Sequence, residues 1–319
     1  MGTMIKCTSD VPALQYLSPR LRGVLAWVIA SGFATSFYAS VILIVIAVLN
    51  VSPSHTPAAI MIAIVALSVV PVSEWPRVRR LGQALYETFD AWHSPCDVMA
   101  LRAAAGKNKL IFCLHPHGIV PLHTLMFCSL CDQLMHRTAS FQIASASVLF
   151  YVPVLRAFVT WFGGVPADYN SLRDVLKRRH LLVTPGGLAE MMQGERGADI
   201  IVWNKRRGIC RLALETGAHL VPVYVFNNDY FDHYPLTSLS RRIRISVLVF
   251  WGQLGLPIPY KPQGPLLTAI GSPIKSKRID NPTIDDVDDL HTRYGAAMRA
   301  LFDANKASAG KPNANLLIT

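Results

Sequence analysis

The feature that most constrains this chain is a long segment without charged side chains. Residues 23–73 contain no Asp, Glu, Lys or Arg. The first apolar run extends from residue 23 to residue 50, and about 20 apolar residues are enough to span a bilayer. A turn with Pro53 and Pro57 separates it from a shorter apolar run at residues 58–72. The sequence therefore predicts a transmembrane helical hairpin at residues 23–73.

Basic residues on both sides of the predicted hairpin indicate its orientation. Arg20 and Arg22 precede it, Arg77, Arg79 and Arg80 follow it, and the turn contains no basic residue. Because Lys and Arg concentrate in cytoplasmic loops, we predict that both ends face the cytosol. The apolar region is too long for a cleavable signal peptide. A re-entrant hairpin and a buried pair of core helices are the alternatives.

The remainder of the chain has an ordinary mixture of charge, turns and hydrophobic periodicity. Charged residues make up 16% of the chain, against roughly 25% in soluble domains, and the deficit is concentrated in the uncharged segment. We predict a cytosolic N-terminal segment at 1–22, the hairpin at 23–73 and a globular domain at 74–319. Apolar side chains at helical spacing in residues 74–93 predict an amphipathic helix at the membrane interface.

Strand and helix patterns alternate through the globular domain. We predict strands at residues 110–114, 141–148, 181–183, 220–226, 243–251 and 266–270. We predict helices at residues 171–179, 208–216 and 286–305. Ser171 and Asp174 have the spacing of a capping box for the first helix, and Gly217 is placed to end the second. This alternation predicts an α/β sandwich around one sheet.

Charge and cysteine usage limit the partners and the compartment. The net charge of +11 fits anionic lipid surfaces, phosphorylated ligands or nucleic acid. No nucleic-acid motif accompanies the charge, so we do not expect nucleic acid as a partner. The six cysteines have no framework spacing, which is typical of a reducing compartment. We interpret Cys128 and Cys131 as core thiols.

Two histidines are the strongest candidates for chemistry. The sequence lacks the GxSxG, GxxxxGK[ST], GxGxxG and HExxH motifs. His115 and His117 lie where a predicted buried strand gives way to a loop, with Pro116 between them. Residues at such positions are held rigidly and face a cleft. A neutral imidazole near pH 7 can act as general base toward an alcohol.

Two other interpretations of these histidines are open. They can cap the loop without taking part in chemistry. A metal site formed by His115, His117 and His123 is disfavoured, because carboxylate or cysteine ligands at suitable spacing are lacking. We therefore expect no bound metal.

A base histidine usually has an acidic partner that orients its ring. The spacing HxxxxD is missing here, because Val120 and Leu122 occupy the two positions where Asp would stand. Glu190 is the best candidate, since Gly186 and Gly187 shortly before it permit close backbone approach and can offer amides to an anion. An exposed carboxylate in the first turn of a helix is the alternative.

A basic turn forms the third candidate site. Lys205, Arg206, Arg207 and Arg211 lie around the start of a predicted helix, whose N-terminus itself favours anions. Arginine matches phosphate geometry with two parallel hydrogen bonds, so we predict that this cluster binds the phosphates of a ligand. A solvated turn or one that contacts anionic lipid is the alternative.

Seven short motifs occur in one order along the chain. They are HPHG at 115–118, VPVLR at 152–156, FGGVP at 162–166, GGLAE at 186–190, RGICRLA at 207–213, GAHLVPVY at 217–224 and GSPI at 271–274. Together they resemble the type-2 diacylglycerol O-acyltransferase family, which also contains monoacylglycerol, wax-alcohol and sterol acyltransferases. The resemblance extends over residues 110–306.

The resemblance implies an acyltransferase-type sandwich around one mixed sheet, anchored in the endoplasmic reticulum membrane with the catalytic domain facing the cytosol. It implies direct transfer of a fatty acyl group from acyl-CoA to a neutral-lipid acceptor at the bilayer. Acyl-CoA is then a co-substrate, and we expect no bound cofactor. The chain's assembly, as monomer or homo-oligomer, is left open.

Matching positions carry the family's roles to this chain. The resemblance implies that His117 occupies the position of the family's general base and Glu190 that of its acidic partner. It implies a supporting role for His115. Arg156 and Arg207 match basic positions near the acyl-CoA site. The chain has Leu114 where an aromatic residue is common and Ile209 where phenylalanine is common.

We expect diacylglycerol as acceptor and triacylglycerol as product. Monoacylglycerol, a long-chain alcohol or a sterol is the alternative acceptor, and a non-catalytic lipid-binding scaffold is the alternative function.

Overall fold

The computed structural model describes residues 4–9, 12–49, 72–135, 140–193, 198–236 and 248–319. Twelve strands are present in these ranges: β1 Ile5–Lys6, β2 Ala91–His93, β3 Leu110–His115, β4 Phe141–Ser145, β5 Gly164–Pro166, β6 His180–Val183, β7 Ile200–Ile201, β8 His219–Phe226, β9 Asp232–Pro235, β10 Leu248–Trp251, β11 Leu266–Ile270 and β12 Leu317–Ile318.

The same ranges contain eleven α-helices: α1 Pro12–Gln15, α2 Pro19–Leu49, α3 Pro76–Arg79, α4 Leu85–Thr88, α5 Val98–Lys107, α6 Leu122–Leu134, α7 Pro153–Trp161, α8 Tyr169–Leu176, α9 Gly187–Gln193, α10 Arg207–Thr216 and α11 Ile284–Asn305. Short 3₁₀ helices occur at Arg80–Ala84, Ser147–Tyr151 and Gln253–Gly255.

One mixed sheet of eight strands organises the fold, in the order β1-β2-β11-β8-β3-β6-β4-β5. Strands β8, β3, β6, β4 and β5 are parallel to one another. Strand β11 runs antiparallel to β8, and β1 runs antiparallel to β2. The predicted α/β sandwich around one mixed sheet is confirmed.

Alternation along β3 explains why both faces of the sheet are covered. Leu110, Phe112 and Leu114 belong to the core on one face, together with side chains from α6. Ile111 and Cys113 belong to the core on the other face, with side chains from α8, α10 and α11. A strand buried on both faces is a continuous apolar run, because successive side chains point to opposite sides.

Most predicted elements are present, with shifts at their ends. The predicted strand at 141–148 ends at Ser145 and continues as a 3₁₀ helix. The predicted strand at 243–251 is seen as β10, and its residues 243–247 lie outside the described residues. Helix α10 ends at Gly217, whose positive φ of 71° is the left-handed conformation expected of a helix C-cap.

The capping prediction at Ser171 was wrong. Helix α8 begins at Tyr169, and Asp168 is its N-cap, whose side chain accepts a hydrogen bond from the Ser171 amide. Asp174 instead pairs with Lys177. The true capping box is at α11, where Thr283 and Asp286 exchange side-chain to backbone hydrogen bonds.

The predicted amphipathic helix at 74–93 was wrong as one continuous helix. The chain forms α3, a 3₁₀ turn and α4, and then Ala91–His93 forms strand β2 within the main sheet. Ala84, Leu85 and Tyr86 are buried in the core rather than exposed on one face. Pairing of β2 with β11 on one side and with β1 on the other overrides the helical periodicity of the last residues.

Arg79 does not flank the predicted hairpin as an exposed charge. Its guanidinium is buried and pairs with Asp132 at 3.1 Å and with Glu74 at 3.0 Å. It also donates to the Phe141 carbonyl. This network connects α3, α6 and β4 inside the body.

The N-terminal residues pack on the same body. Strand β1 forms the edge of the main sheet next to β2. Ala26, Ala30 and Ala34 recur every four residues on α2 and are fully buried. Near the other end of this packed face, the Tyr38 hydroxyl accepts a hydrogen bond from the Phe250 amide at 2.8 Å.

Within the ranges that the structure describes, no helix is long and apolar enough to cross a membrane. The turn of the predicted hairpin at 51–57 and its second apolar run, except residue 72, lie outside these ranges. The hairpin at 23–73 and the domain boundaries beside it therefore stay predictions.

Candidate active site

Three segments that are distant in sequence meet at the end of β3. His115 is the last residue of β3 and lies opposite Tyr224 of the parallel strand β8. The loop with Pro116, His117 and Gly118 follows, and the peptide bond between His115 and Pro116 is cis. Glu190 reaches this loop from α9, which begins after the neighbouring strand β6.

The Glu190 carboxylate joins the three segments through three hydrogen bonds. Its Oε1 accepts from the Nδ1–H of His115 and from the Val202 amide, both at 2.9 Å. Its Oε2 accepts from the His117 amide at 2.6 Å. Burial alone would raise the pKa of Glu190, but the adjacent His115 and these hydrogen bonds together lower it below the ordinary value. Glu190 is therefore a buried, ionised carboxylate and not an exposed residue of a first helical turn.

Gly186 makes this position of Glu190 possible. A Cβ at residue 186 would lie 1.9 Å from the Glu190 carboxyl carbon. Any other residue would therefore displace the carboxylate. The neighbouring Gly187 has a positive φ of 51°, which permits the tight turn between β6 and α9.

His115 is enclosed by aromatic side chains. Its ring lies edge-on to Trp203, with 6.2 Å between ring centroids, and its exposed fraction is 0%. Trp203 in turn stacks on His291 of α11. Because the carboxylate can only accept, Nδ1 of His115 holds a proton, and Nε2 has no hydrogen-bond partner among the described residues.

His117 has a different environment from His115. It is half-buried, and its Nδ1 lies 2.7 Å from the Gly118 carbonyl oxygen, which can only accept a hydrogen bond. The proton is therefore on Nδ1, and the lone pair is on Nε2. Burial lowers the pKa of His117, and the smaller effects of the Gly118 carbonyl and the Glu190 carboxylate oppose this shift. His117 is consequently neutral at pH 7.

The expected partnership of Glu190 with His117 takes a form that the sequence did not predict. Glu190 contacts the ring of His115 and only the main chain of His117. The carboxylate thus holds the loop in place, while the Gly118 carbonyl orients the His117 ring.

Asn228 is a site residue that the sequence analysis missed. Its side-chain amide donates to the Pro116 carbonyl at 3.0 Å and lies 3.4 Å from Nδ1 of His123. Burial lowers the pKa of His123 to about 3, so this ring is neutral. Asn228 is the second residue after strand β8, and its position just past a strand end next to β3 was the signal that could have identified it.

A cavity of about 260 Å³ adjoins the loop. Pro116 and Gly118, on either side of His117, line it together with Glu190. Apolar side chains from two other segments, including Ile200 and Phe231, complete much of the wall. The partly apolar cavity therefore lies against the loop that carries the neutral imidazole of His117.

The predicted basic cluster is divided between several partners. Arg206 donates to the Gly186 carbonyl at 2.8 Å and so contacts the glycine turn beside Glu190. Arg207 pairs with Asp288 of α11 at 2.5 Å. Lys205 and Arg211 are exposed. Arg156 lies on α7 and is half-buried. The phosphate-binding roles of these residues stay predictions.

Comparison with known proteins identifies the family. The family model described as "Diacylglycerol acyltransferase" matches residues 95–319, which is more than two thirds of the chain. The chain belongs to this family. It is an acyltransferase. All the candidate site residues, from His115 to Arg211, lie within the matched range.

Several curated relatives carry related names. The chain is 28% identical over 272 residues to 2-acylglycerol O-acyltransferase 3 of Homo sapiens, with 77% of each chain covered. It is 26% identical over 271 residues to acyl-CoA wax alcohol acyltransferase 1 of Mus musculus, covering 77% of this chain and 80% of the relative. Human diacylglycerol O-acyltransferase 2 is 27% identical over 237 residues, which are 66% of this chain and 60% of the relative.

We predict that Gly186→Ala abolishes most acyltransferase activity, because the added Cβ displaces the Glu190 carboxylate. Displacement of a positioning group by about 1 Å can cost roughly 100-fold in rate. The measurement is the rate of acyl transfer by purified protein. Gly208→Ala is the matched control, since nothing lies within 4 Å of its added Cβ. Equal rates for the two variants would contradict the assigned role of Gly186.

Proposed function

We propose that this acyltransferase moves a fatty acyl group from acyl-CoA to the free hydroxyl of diacylglycerol and produces triacylglycerol. The observation that carries the proposal is the neutral His117, which has its proton on Nδ1 and its lone pair on Nε2. Its neighbours Pro116 and Gly118 line a partly apolar cavity. The family membership and the names of the relatives support the reaction class and the lipid substrates.

In the proposed reaction, Nε2 of His117 accepts the proton of the acceptor hydroxyl while the hydroxyl oxygen attacks the thioester carbonyl. The new ester C–O bond forms, the C–S bond breaks, and the coenzyme A thiolate leaves. The thiolate then takes the proton from the His117 imidazolium, which restores the neutral base. Glu190 holds the loop and favours the transient positive charge on His117.

His115 has a supporting role in this proposal. Its ring is paired to Glu190 and fully buried, whereas His117 is half-buried next to the cavity wall. A substrate hydroxyl could reach His115 only after a rearrangement of the aromatic side chains around it, which favours His117 as the base.

We predict that His117→Gln lowers kcat by about 10²–10⁴-fold, the usual contribution of a general base. In the wild type, activity requires neutral His117, so kcat/KM falls as pH decreases through the pKa of this residue. Burial lowers that pKa, and the midpoint of the acid limb should therefore lie below the ordinary 6.5. Rate measurements from pH 5 to pH 8 check both expectations.

His115→Gln serves as the comparison, because it removes the partner of Glu190 and leaves the proposed base intact. A larger loss for His115→Gln than for His117→Gln would assign the base to His115 instead. A wild-type acid limb centred above 6.5 would contradict a base lowered by burial.

The identity of the acceptor can be tested by comparing candidate lipids in one assay. The relatives named for 2-acylglycerol and wax alcohol favour monoacylglycerol and long-chain alcohol as the second candidates, ahead of a sterol. An assay with labelled acyl-CoA and a panel of the four acceptors identifies the preferred one. Absence of transfer to all of them would favour the lipid-binding scaffold.

The proposed coenzyme A site includes Arg156, Gly186, Gly187, Lys205, Arg206, Arg207 and Arg211. Arg206 supports this location, because it contacts the glycine turn that holds Glu190. Arg207 is half-exposed, so its guanidinium can contact a phosphate at the surface.

We predict that Arg207→Ala raises the KM for acyl-CoA about tenfold and leaves the acceptor KM unchanged, since one charged hydrogen-bonding partner is lost. Asp288→Ala is the matched control. If Arg207 only joins α10 to α11, both variants should behave alike. If Arg207 binds phosphate, Asp288→Ala should not raise this KM. The same saturation curves in neutral and anionic liposomes distinguish phosphate binding from contact with the membrane.

We further propose that the protein is anchored in the endoplasmic reticulum membrane by the hairpin at 23–73, with both termini and the catalytic domain at 74–319 in the cytosol. The uncharged sequence and its arginine flanks support this topology. Pairing of β1 with β2 supports a common side for residues 4–9 and the catalytic body.

We predict that tags at both termini are digested when protease is added to sealed microsomes, because both lie outside the lumen. Immunoblotting of each tag provides the measurement, and a lumenal protein is the control for intact vesicles. Protection of either tag would contradict the topology.

A further inference from the structure

The short strand β7 carries a direct contact to the proposed site. Val202, which follows β7, donates its amide to Glu190 at 2.9 Å. Ala198 and Ile200 line the cavity on the same segment. In the described part of the chain, β7 pairs only with β12, in a separate two-stranded sheet.

Residues 317–319 form hydrogen bonds to alternate residues of this segment. The Leu317 amide donates to the Asp199 carbonyl and the Thr319 amide to the Ile201 carbonyl, both at 2.9 Å. The Trp203 amide donates to the Thr319 carbonyl at 2.8 Å. In an extended chain, successive backbone groups point to opposite sides. Because residues 199, 201 and 203 face β12, the Val202 amide faces Glu190.

A buried ion pair fixes the same segment at a second point. The Asp199 carboxylate accepts from Lys311 at 3.1 Å through both oxygens and from the Tyr224 hydroxyl at 2.8 Å. The Asp199 side chain is only 7% exposed. Tyr224 lies opposite His115 on the neighbouring strand, so this cluster connects residues 311–319 to the strand beside the histidine.

We propose that residues 311–319 are a positioning element of the active site, which sets the direction of the Val202 amide and thereby the place of the Glu190 carboxylate. The inference rests on the proposed roles of His117 and Glu190. Residues 311–319 do not line the cavity, and in this proposal they act on the reaction through β7. Their effect should consequently appear in kcat and in the pH dependence, and only weakly in the KM for acyl-CoA.

Leu317→Pro and Leu317→Ala form a matched pair for the test. Proline removes the amide that donates to Asp199, whereas alanine removes only a side chain that is 55% exposed. We expect Leu317→Pro to lower kcat about 10–100-fold with the KM for acyl-CoA within twofold of wild type. Leu317→Ala should retain wild-type kinetics.

The pH profile separates positioning from a general loss of folded protein. Burial lowers the pKa of His117, and the Glu190 carboxylate partly opposes this effect. If Glu190 moves away, the pKa falls further, and the acid limb of kcat/KM moves to lower pH. A smaller fraction of folded protein would reduce the rate without moving this limb.

Lys311 supplies a second pair of variants in case Leu317→Pro does not fold. Lys311→Met should reproduce the loss of kcat, and Lys311→Arg should restore it by keeping the ion pair with Asp199. Lys177→Met is the control. Lys177 follows α8 directly and pairs with Asp174 of that helix, and both side chains are exposed.

Hydrogen–deuterium exchange provides a measurement that does not require activity. The His117 and Val202 amides both donate to Glu190, so peptides that contain them should exchange faster in Leu317→Pro and Lys311→Met. Unchanged exchange in folded variants, or a loss of kcat without movement of the acid limb, would overturn the proposal. A wild-type protein that transfers no acyl group would instead contradict the proposed function, and the exchange data would still decide the positioning role.

Discussion

The buried carboxylate of Glu190 is the interaction on which the site depends. An ionised carboxylate inside a protein is costly unless charge and hydrogen bonds compensate it. Here both oxygens are used, by one histidine ring and two main-chain amides. Each of these partners belongs to a different segment, so the carboxylate holds β3, its loop and β7 in one arrangement. Loss of one partner would leave part of this charge uncompensated.

The geometry around this carboxylate gives the two histidines different properties. His115 is held by its ring and enclosed by Trp203, whereas His117 is held by its main chain and has a ring oriented by the Gly118 carbonyl. One carboxylate therefore immobilises the loop through its main chain, and the imidazole of the proposed base stays neutral. A neutral imidazole at a fixed position is suited to accept the proton of a hydroxyl group, because it does not have to be ordered during the reaction.

Local patterns were reliable where one periodicity or one residue type decided the structure. Strand β3 is confirmed from a continuous apolar run, and Gly217 ends α10 as its lack of a side chain allows. The helix prediction for residues 74–93 was wrong because the helical spacing of the last residues competed with strand pairing to β11, which lies far away in sequence. The same limit applies to Arg79, whose charge suggested a flank of the hairpin but is buried against Asp132.

By itself the sequence determined the sheet-based fold, the strand end that carries His115 and His117, the glycine turn before Glu190 and the resemblance to the acyltransferase family. These features depend on neighbouring residues, on motif order or on the absence of side chains at glycine. The tertiary structure alone decided that Glu190 binds the ring of His115, that Asn228 contacts the loop and that residues 317–319 support Val202. Most of these contacts use main-chain amides and carbonyls, which every residue possesses, so they leave no signature in the sequence.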